Sequence, residues 1–226
     1  VTDAQRYEWS FVFHIFLPDD FPPTAAVAAT PWWRQVFGAD WAHPAGPQSD
    51  LDGLLDHPVV HVSWNDAVAY CAWAGVRLPT EAEWERAARG GLESQRYAWG
   101  DEFAPDGVTM CNIWEGTFPT ENTAADGFVG TAPVDALPPN GFGLHNVAGN
   151  VWEWCADWFH SDFHRTGPTV DPTGPPSGEA HVIRGGSYLC HDSYCDRYRV
   201  SARSSNAADS STGNMGFRVA AGPLDA

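Results

Sequence analysis

Lysine is absent from this chain, so its 12 basic residues are all arginines, and they stand against 29 aspartates and glutamates. The formal net charge is −17. Nucleic acids and anionic membranes bind surfaces whose positive charges neutralise phosphates. The composition therefore argues against both as general partners of this protein.

Apolar runs long enough to span a membrane are also missing, and so is a recognisable signal peptide. Cysteine is scarce, and the five cysteines are odd in number and irregularly spaced, unlike the even set of a secreted disulfide scaffold. They are Cys71, Cys111, Cys155, Cys190 and Cys195. We therefore expect a reducing compartment, the cytoplasm, although a first residue that is not methionine leaves export open.

Tryptophan, glycine and proline are abundant instead, with 12, 22 and 18 residues. Glycine and proline at this level favour loops, and aromatic rings can fill space that regular elements would otherwise occupy. A length of 226 residues suits one compact domain with a sizeable core. We predict an α+β fold for residues 1–226, a loop-rich single domain with little regular secondary structure.

Local signals predict two short helices. One covers Asn65 to Ala74, and the other follows a capping box that Thr80 forms with Glu83 and ends before Gly90. Glu83 is expected to bond back to the Thr80 backbone, which favours a structural role over that of a general base. Short strands are predicted at 59–62, 182–185 and 216–220, an irregular covering segment at 21–57, and turns over 99–139.

Two cysteines, Cys190 and Cys195, lie five residues apart in the segment GGSYLCHDSYCDRYR at 185–199. Thiolates this close can form a small disulfide ring or hold a soft metal ion together. Zinc normally takes four ligands, whereas copper(I) accepts two sulfurs, so copper(I) fits the pair best. A catalytic disulfide and a pair of inert core thiols stay open as alternatives, because free cysteine is often a buried core residue.

Five arginines occur around this segment, namely Arg184, Arg197, Arg199, Arg203 and Arg218. A positive charge beside a thiol lowers its pKa, but an arginine that is buried needs an anionic partner. We expect most of these arginines to form structural ion pairs.

Further motifs accompany the cysteine segment: HPVVHVSW at 57–64, RLPTEAEWE at 77–85, GNVWEW at 149–154, SARSSN at 201–206, DSS at 209–211 and GNMGFR at 213–218. With them, nearly the whole chain resembles the bacterial type of formylglycine-generating enzymes, or sulfatase-modifying factors. The resemblance implies their loop-rich fold, which is related to the C-type-lectin-like fold. Family sequences usually begin with a Phe-x-Met-Gly strand segment that is absent here, so part of the amino terminus is expected to be missing.

What the resemblance implies about activity is specific. Enzymes of this family use dioxygen and a thiol reductant to oxidise the cysteine of Cys-x-Pro-x-Arg or Cys-x-Ala-x-Arg in an unfolded or nascent sulfatase. The product is Cα-formylglycine, formed through a thioaldehyde that hydrolyses. On this resemblance, Cys190 and Cys195 bind copper(I), and the substrate thiolate is a third sulfur ligand.

Other residues match the family's active site and peptide groove. Ser187, Trp152 and Tyr194 are expected to line the oxygen pocket or position the substrate, alongside the catalytic cysteines. His191 and Asn214 match residues near the peptide groove. Ordinary structural roles stay open for all five, since serine and asparagine favour turns and tryptophan fills cores.

Two sets of oxygen donors match structural calcium sites of the family. The first is Asn112, Ile113, Asp126 and Phe128, and the second is Asn146, Gly149, Val151 and Glu153. Amide, carbonyl and carboxylate oxygens are the ligands that calcium requires. The alternative is that Asp126 and Asn146 simply form turns.

Three other functions compete with the copper-dependent oxidase. A non-catalytic peptide- or glycan-binding module on the same fold would use the many aromatic residues. An iron-dependent sulfoxide synthase is disfavoured, because such enzymes place three iron-binding histidines in an additional helical region that this chain lacks. A thiol-disulfide oxidoreductase is disfavoured because no Cys-x-x-Cys motif occurs.

Overall fold

The computed structural model describes residues 1–222, in which short helices and strands are joined by long loops. The α-helices are α1 (Asp3–Tyr7), α2 (Trp64–Ala74), α3 (Glu81–Arg89) and α4 (Phe163–Thr166). The strands are β1 (Trp9–Phe13), β2 (Ala26–Val27), β3 (Thr30–Phe37), β4 (Gly116–Thr117), β5 (Glu121–Asn122), β6 (Trp152–Trp158), β7 (His181–Arg184), β8 (Ser204–Asn206) and β9 (Met215–Phe217). Single 3-10 turns lie at His14–Phe16 and Pro105–Gly107. Within residues 1–222, every helix is too short or too polar to cross a bilayer.

The strands form three small sheets, with orders β1-β3-β2, β4-β5 and β8-β7-β6-β9. In the four-stranded sheet, β6 runs antiparallel to β7, with Glu153 opposite Arg184, and parallel to β9, with Trp154 opposite Phe217. This sheet brings motifs that are about sixty residues apart in the chain side by side. The arrangement is the predicted loop-rich α+β fold.

Both predicted helices are present, and their capping residues explain their limits. The Ser63 side chain accepts from the Asp66 backbone at the start of α2, and Thr80 does the same for Glu83 at the start of α3. Glu83 returns the bond to the Thr80 backbone at 2.8 Å, which confirms its structural role. Each helix ends at a glycine in the left-handed conformation, where no Cβ penalty applies.

Two predictions of regular structure need correction, one at 59–62 and one at 21–57. Residues 59–62 do not form a strand, because His61 adopts a left-handed backbone with φ of 57° and turns the chain inward. The segment 21–57 is not wholly irregular, since it contains β2 and the eight-residue β3. The proline and glycine content of that segment led to the prediction of irregular structure. The segment nevertheless contains the aromatic strand β3, which pairs with β1. The strand predicted at 182–185 is present, and the one at 216–220 is shorter than expected.

The core beside the sheet encloses a buried arginine. Arg184 is fully buried and donates to Glu81 at 2.8 Å, to Glu85 at 2.6 Å and to the Val200 carbonyl at 2.7 Å. Trp84 covers the guanidinium at 5.1 Å. Strand β7 and helix α3 are thereby joined by a charge network, as a buried arginine requires.

Candidate active site around Cys190 and Cys195

The segment that carries the cysteines leaves β7 through Gly185 and Gly186, both with positive φ. A Cβ on Gly186 would stand 3.1 Å from the Cys190 sulfur and 3.1 Å from the Arg197 backbone. Only glycine permits this close approach without displacing the chain. The loop can therefore fold back on itself and bring its two cysteines together.

Cys190 and Cys195 are joined as a disulfide, with Cα atoms 5.5 Å apart. The turn between them is closed by the His191 carbonyl, which accepts backbone N–H groups from Tyr194 at 3.0 Å and Cys195 at 2.9 Å. Cys190 is 1% exposed, whereas Cys195 is partly exposed. The pair thus has one sulfur-bearing residue in the core and one at the surface.

A cleft of about 200 Å³ opens over this pair. Six of the seven residues predicted for catalysis or substrate binding line it: Trp152, Ser187, Cys190, Tyr194, Cys195 and Asn214. They come from β6, from the cysteine loop and from the segment before β9, which the four-stranded sheet brings together. His191 is not among the lining residues, and its Nδ1 lies 2.7 Å from the Ser193 hydroxyl.

Ser187 is held by a chain of hydrogen bonds. Asn214 Nδ2 donates to its hydroxyl oxygen at 2.9 Å, and the Thr212 hydroxyl donates to Asn214 Oδ1 at 2.7 Å. The Leu189 backbone N–H also donates to the Ser187 oxygen, at 3.3 Å. The Ser187 hydroxyl oxygen accepts both of these hydrogen bonds. The hydroxyl proton of Ser187 is therefore free to be donated in the cleft.

An aromatic wall supports Tyr194. Its ring stacks on Phe118 at 4.4 Å, and Trp32 meets it edge-on at 5.3 Å. Trp33 lines the cleft from the same strand as Trp32. Burial raises the pKa of the Tyr194 phenol, which keeps it neutral and able to donate a proton in a hydrogen bond.

Sequence reasoning missed both tryptophans, because they lie in the segment that was expected to be irregular. The contact of Trp32 with Tyr194 joins residues more than 150 positions apart. The one signal available was the Trp32-Trp33 pair itself, since adjacent large aromatics on a strand place one ring on each face.

The arginines near the cysteine loop follow the expectation in four of five cases. Arg184 pairs with Glu81 and Glu85, Arg199 with Asp196, Arg203 with Glu81, and Arg218 with Glu153. Arg197 has no ion-pair or hydrogen-bond partner among the described residues, and it lines the cleft.

The remaining cysteines are core residues. Cys71, Cys111 and Cys155 are buried and free. Burial raises the pKa of each thiol, most strongly for Cys111 and Cys155. Thiols that resist deprotonation are poor nucleophiles and poor metal ligands, so these three do not compete with the pair in the cleft.

One oxygen atom of the first predicted calcium set, and one of the nearby Glu115, have no partner. Asn112 is buried, and its Oδ1 lacks a hydrogen-bond donor within residues 1–222, as does Glu115 Oε2. Burial raises the pKa of Asp126, and the nearby Glu115 carboxylate raises it further. Two carboxylates and an amide oxygen without a cation form a donor set that suits calcium.

The loop geometry holds Asp126 in place. Its carboxylate accepts backbone N–H groups from Ile113 at 3.2 Å and Phe128 at 2.9 Å. These bonds fix the two residues whose carbonyls were predicted as ligands. Glu115 was not predicted, and its closeness to Asp126 only becomes evident in the folded loop.

The second predicted set is Asn146, Gly149, Val151 and Glu153. Asn146 Oδ1 has no partner in the described part of the chain. Glu153, however, already accepts two bonds of 2.6 Å from Arg218 and one of 2.5 Å from Trp84. Arg218 therefore pairs with this carboxylate, and the second calcium set stays a prediction.

Comparison with known proteins shows the family of the chain. The model of the Sulfatase-modifying factor enzyme 1-like domain family matches residues 1–222. The chain belongs to the sulfatase-modifying factor family. The formylglycine-generating enzyme of Thermomonospora curvata is 60% identical over 99% of this chain and 75% of its own length. That of Streptomyces coelicolor is 62% identical over 97% of this chain and 70% of its own length.

The family also contains a member named as inactive. The mouse protein called Inactive C-alpha-formylglycine-generating enzyme 2 is 46% identical over 97% of this chain and 67% of its own length. Among solved structures, Treponema denticola variable protein 1 has a TM-score of 0.56 at 26% identity, over 73% of this chain and 70% of that chain. The chain thus shares its fold with a protein of only 26% identity, and activity has to be argued from the cleft.

Proposed function

We propose that this protein is a formylglycine-generating oxidoreductase that activates a sulfatase. Its substrate is the cysteine of a Cys-x-Pro-x-Arg or Cys-x-Ala-x-Arg segment, dioxygen is the oxidant and a thiol is the reductant. The observation that carries the proposal is the meeting of Cys190 and Cys195 with Ser187, Trp152, Tyr194 and Asn214 in one cleft. The high identity to two named formylglycine-generating enzymes supports it.

The cleft suits a short extended peptide. At about 200 Å³ it is smaller than a typical small-molecule pocket, so it has room for the reacting cysteine side chain and little more. The flanking substrate residues would lie along its rim, beside Trp33 and Tyr194. A folded sulfatase domain could not present a buried cysteine in this way, which favours an unfolded or nascent substrate.

The residues of the cleft fit copper(I). When reduced, Cys190 and Cys195 present two soft sulfur donors, which is the ligand type that copper(I) prefers. Residues 1–222 hold no cluster of three or more histidine, cysteine or acidic side chains that could bind a metal, so a third ligand would come from the substrate sulfur. Bound copper(I) would supply one-electron chemistry with dioxygen, which no side chain provides.

The other cleft residues would orient the substrate. The free proton of Ser187 can be donated to an oxygen or sulfur atom held above the cysteine pair, with Asn214 fixing the hydroxyl. The neutral Tyr194 phenol can donate from the opposite wall. Trp152 forms an apolar surface that limits water. Fixed donors of this kind favour a reaction because they need no reorganisation when charge develops.

The overall chemistry balances. The substrate CH₂–SH group loses one hydrogen from carbon and one from sulfur to give a thioaldehyde, which water hydrolyses to the aldehyde and hydrogen sulfide. Dioxygen takes up those two hydrogens, two further electrons from the thiol reductant and two protons, and leaves as water.

We also propose that calcium is a structural ion in the loop of Asn112, Ile113, Asp126 and Phe128, with Glu115 beside it. The partnerless oxygen atoms of this loop support that role. A cation there would neutralise the two carboxylates and need not touch the reaction.

The decisive experiment incubates the protein with copper(I), dioxygen, a thiol reductant and a Cys-x-Pro-x-Arg peptide, with and without a copper chelator. Mass spectrometry should show thiol-to-aldehyde conversion that chelation abolishes. Cys190→Ser and Cys195→Ser should each reduce conversion by at least about a hundredfold, since each removes a reacting group. Cys71→Ser, which removes a buried thiol outside the cleft, is the matched control and should remain active.

Full activity in the Cys190→Ser/Cys195→Ser double variant would exclude the proposal. A folded wild-type protein that binds the peptide tightly but never converts it would instead identify a non-catalytic binding module. The aromatic wall of the cleft would then be the binding surface, and binding would be independent of copper and of both cysteines.

A further inference from the structure

Arg197 differs from the other arginines near the cysteine loop. Each of the other four, Arg184, Arg199, Arg203 and Arg218, has a carboxylate within 3.0 Å. Arg197 has no carboxylate within 4.0 Å in the described part of the chain, although the protein has 29 acidic residues. An arginine that stays unpaired in so acidic a protein keeps its charge available for another anion.

The position of Arg197 makes this charge relevant to the cleft. The residues that line the cleft are aromatic, apolar, hydroxyl, amide or cysteine side chains, and Arg197 is the one formally charged residue among those described. Within residues 1–222, no aspartate or glutamate lines the cleft. The cleft is therefore a locally positive site on a molecule whose net charge is −17.

Arg197 lies two residues after Cys195 and lines the cleft together with Tyr194 and both cysteines. Its exposed side chain is free to turn toward a bound peptide.

We infer that Arg197 is a substrate-binding residue that selects the deprotonated, thiolate form of the substrate cysteine. The inference rests on the proposed function. A free cysteine thiol has a pKa of about 8.5, so only a minor fraction is thiolate at pH 7.5. A positive charge within about 4 to 6 Å lowers a pKa by about 1 to 3 units. Arg197 would shift the bound cysteine toward thiolate, with its proton released to solvent.

The test compares Arg197→Gln, Arg197→Lys and wild type, with Arg86→Gln as the matched control. Arg86 is another arginine without an ion pair in residues 1–222, and it lies outside this cleft. Binding of fluorescently labelled Cys-x-Pro-x-Arg and Ser-x-Pro-x-Arg peptides is measured by anisotropy. The protein is reduced, copper-free and anaerobic, and the pH runs from 6.5 to 9.5.

For wild type, affinity for the cysteine peptide relative to the serine peptide should rise with pH and level off above the pKa of the free thiol, about 8.5. Arg197→Gln should bind the cysteine peptide about tenfold more weakly at pH 7.5, and this deficit should grow toward pH 9.5 and shrink toward pH 6.5. The serine peptide should bind all variants alike. Arg197→Lys should retain most of the effect, and Arg86→Gln should match wild type.

A cysteine-to-serine preference in Arg197→Gln that stays within twofold of wild type at every pH would overturn the inference. In turnover, the inference predicts that Arg197→Gln raises KM at pH 7.5 far more than it lowers kcat. A wild type with the pH-dependent preference but no conversion would refute the proposed function and leave the Arg197 assignment standing. Peptide conversion by wild type, together with an unaltered cysteine-to-serine preference in Arg197→Gln, would support the proposed function and refute the Arg197 assignment.

Discussion

The side chains of Ser187, Asn214 and Thr212 show how single residues in this cleft depend on one another. Asn214 is buried, and its side-chain amide donates a hydrogen bond to Ser187 and accepts one from Thr212. The carbonyl of Asn214 also accepts the Trp152 backbone N–H at 2.9 Å. The asparagine thus fixes the hydroxyl and the tryptophan wall of the cleft together.

Asn214→Ala should lower kcat about tenfold or more, because Ser187 loses the donor that orients its hydroxyl. Asn206→Ala is the control, since Asn206 lines the same cleft but forms no bond to Ser187. Peptide conversion followed by mass spectrometry checks both. Equal rates of peptide conversion in Asn214→Ala and Asn206→Ala would show that the orientation of the Ser187 hydroxyl does not affect catalysis.

At this scale the sequence motifs were informative where residues are close in the chain. Ser187, Cys190, Tyr194 and Cys195 lie within nine residues, and all line the cleft. Trp32, Trp33 and Glu115 could not be found, because their roles arise from contacts between distant segments. Arg197 was seen as one of five arginines, but only the fold shows which of them lacks a carboxylate.

At the scale of elements, the loop from Asn112 to Phe128 depends on side chains more than on regular structure. Its only strands are the two-residue β4 and β5. Asp126 and Glu115 repel each other there and both raise the energy of the folded loop when no cation is bound. A bound calcium ion would convert that repulsion into attraction.

Calcium at a hundredfold excess over its dissociation constant should stabilise the fold by about 2.7 kcal/mol. Chelation should then lower the Tm by about 5 °C or more, given the size of the protein. Asp126→Asn should abolish the difference between calcium and chelator, as measured by calorimetry. The exposed Asp135→Asn serves as control and should keep it. An Asp126→Asn protein that still responds to calcium would contradict this site.

Elements with local capping signals were predictable, and those with long-range partners were not. The helix at Glu81–Arg89 was located from Thr80, Glu83 and Gly90, and the helix at Trp64–Ala74 from its helix-forming content behind Ser63 and Asn65. The error at 59–62 arose because valine alternation favours a strand, while His61 binds inward instead. The parallel pairing of β6 with β9 has no local signal, since it joins chain segments about sixty residues apart.

At the scale of the whole molecule, His61 connects three distant parts of the chain. Its ring is fully buried and lies 2.8 Å from the Ser10 hydroxyl and 2.8 Å from the Pro44 carbonyl. Its backbone N–H donates to Thr212 at 3.0 Å. Because the Pro44 carbonyl can only accept, the His61 ring donates to it through Nε2.

Burial lowers the pKa of His61 to about 4. The folded pKa lies below the unfolded value, so the stabilisation is complete above about pH 6.5 and is lost as the pH falls toward 4. The loss attributable to His61 is about 3 kcal/mol. Asp157, whose pKa burial raises to about 6, acts in the opposite direction over the same range. The His61 effect therefore has to be measured as a difference between variants.

Urea unfolding at pH 7.5 and pH 4.5 should show that His61→Gln is less stable than wild type at neutral pH and that the gap narrows in acid. His164→Gln changes an exposed histidine and should leave the pH dependence unchanged. A gap between His61→Gln and wild type that stays constant from pH 7.5 to 4.5 would rule out the titration of His61 as its cause.

Composition predicted the overall character of the molecule well. Abundant glycine, proline and tryptophan indicated a loop-rich α+β fold, and that is the fold observed. How the sheets pair and where the cleft opens were not readable, because both depend on segments that meet only after folding.

The unequal burial of the two cysteines gives the cleft a direction for thiol exchange. A small reductant from solvent can reach the sulfur of Cys195, whereas Cys190 lies beneath the loop. Attack at the outer sulfur expels Cys190 as the leaving thiolate and leaves the mixed disulfide on Cys195. A second thiol then attacks the mixed disulfide and frees Cys195. Each reductive cycle would thus begin at the surface and release the inner thiolate first, in the core and facing the place where the substrate enters.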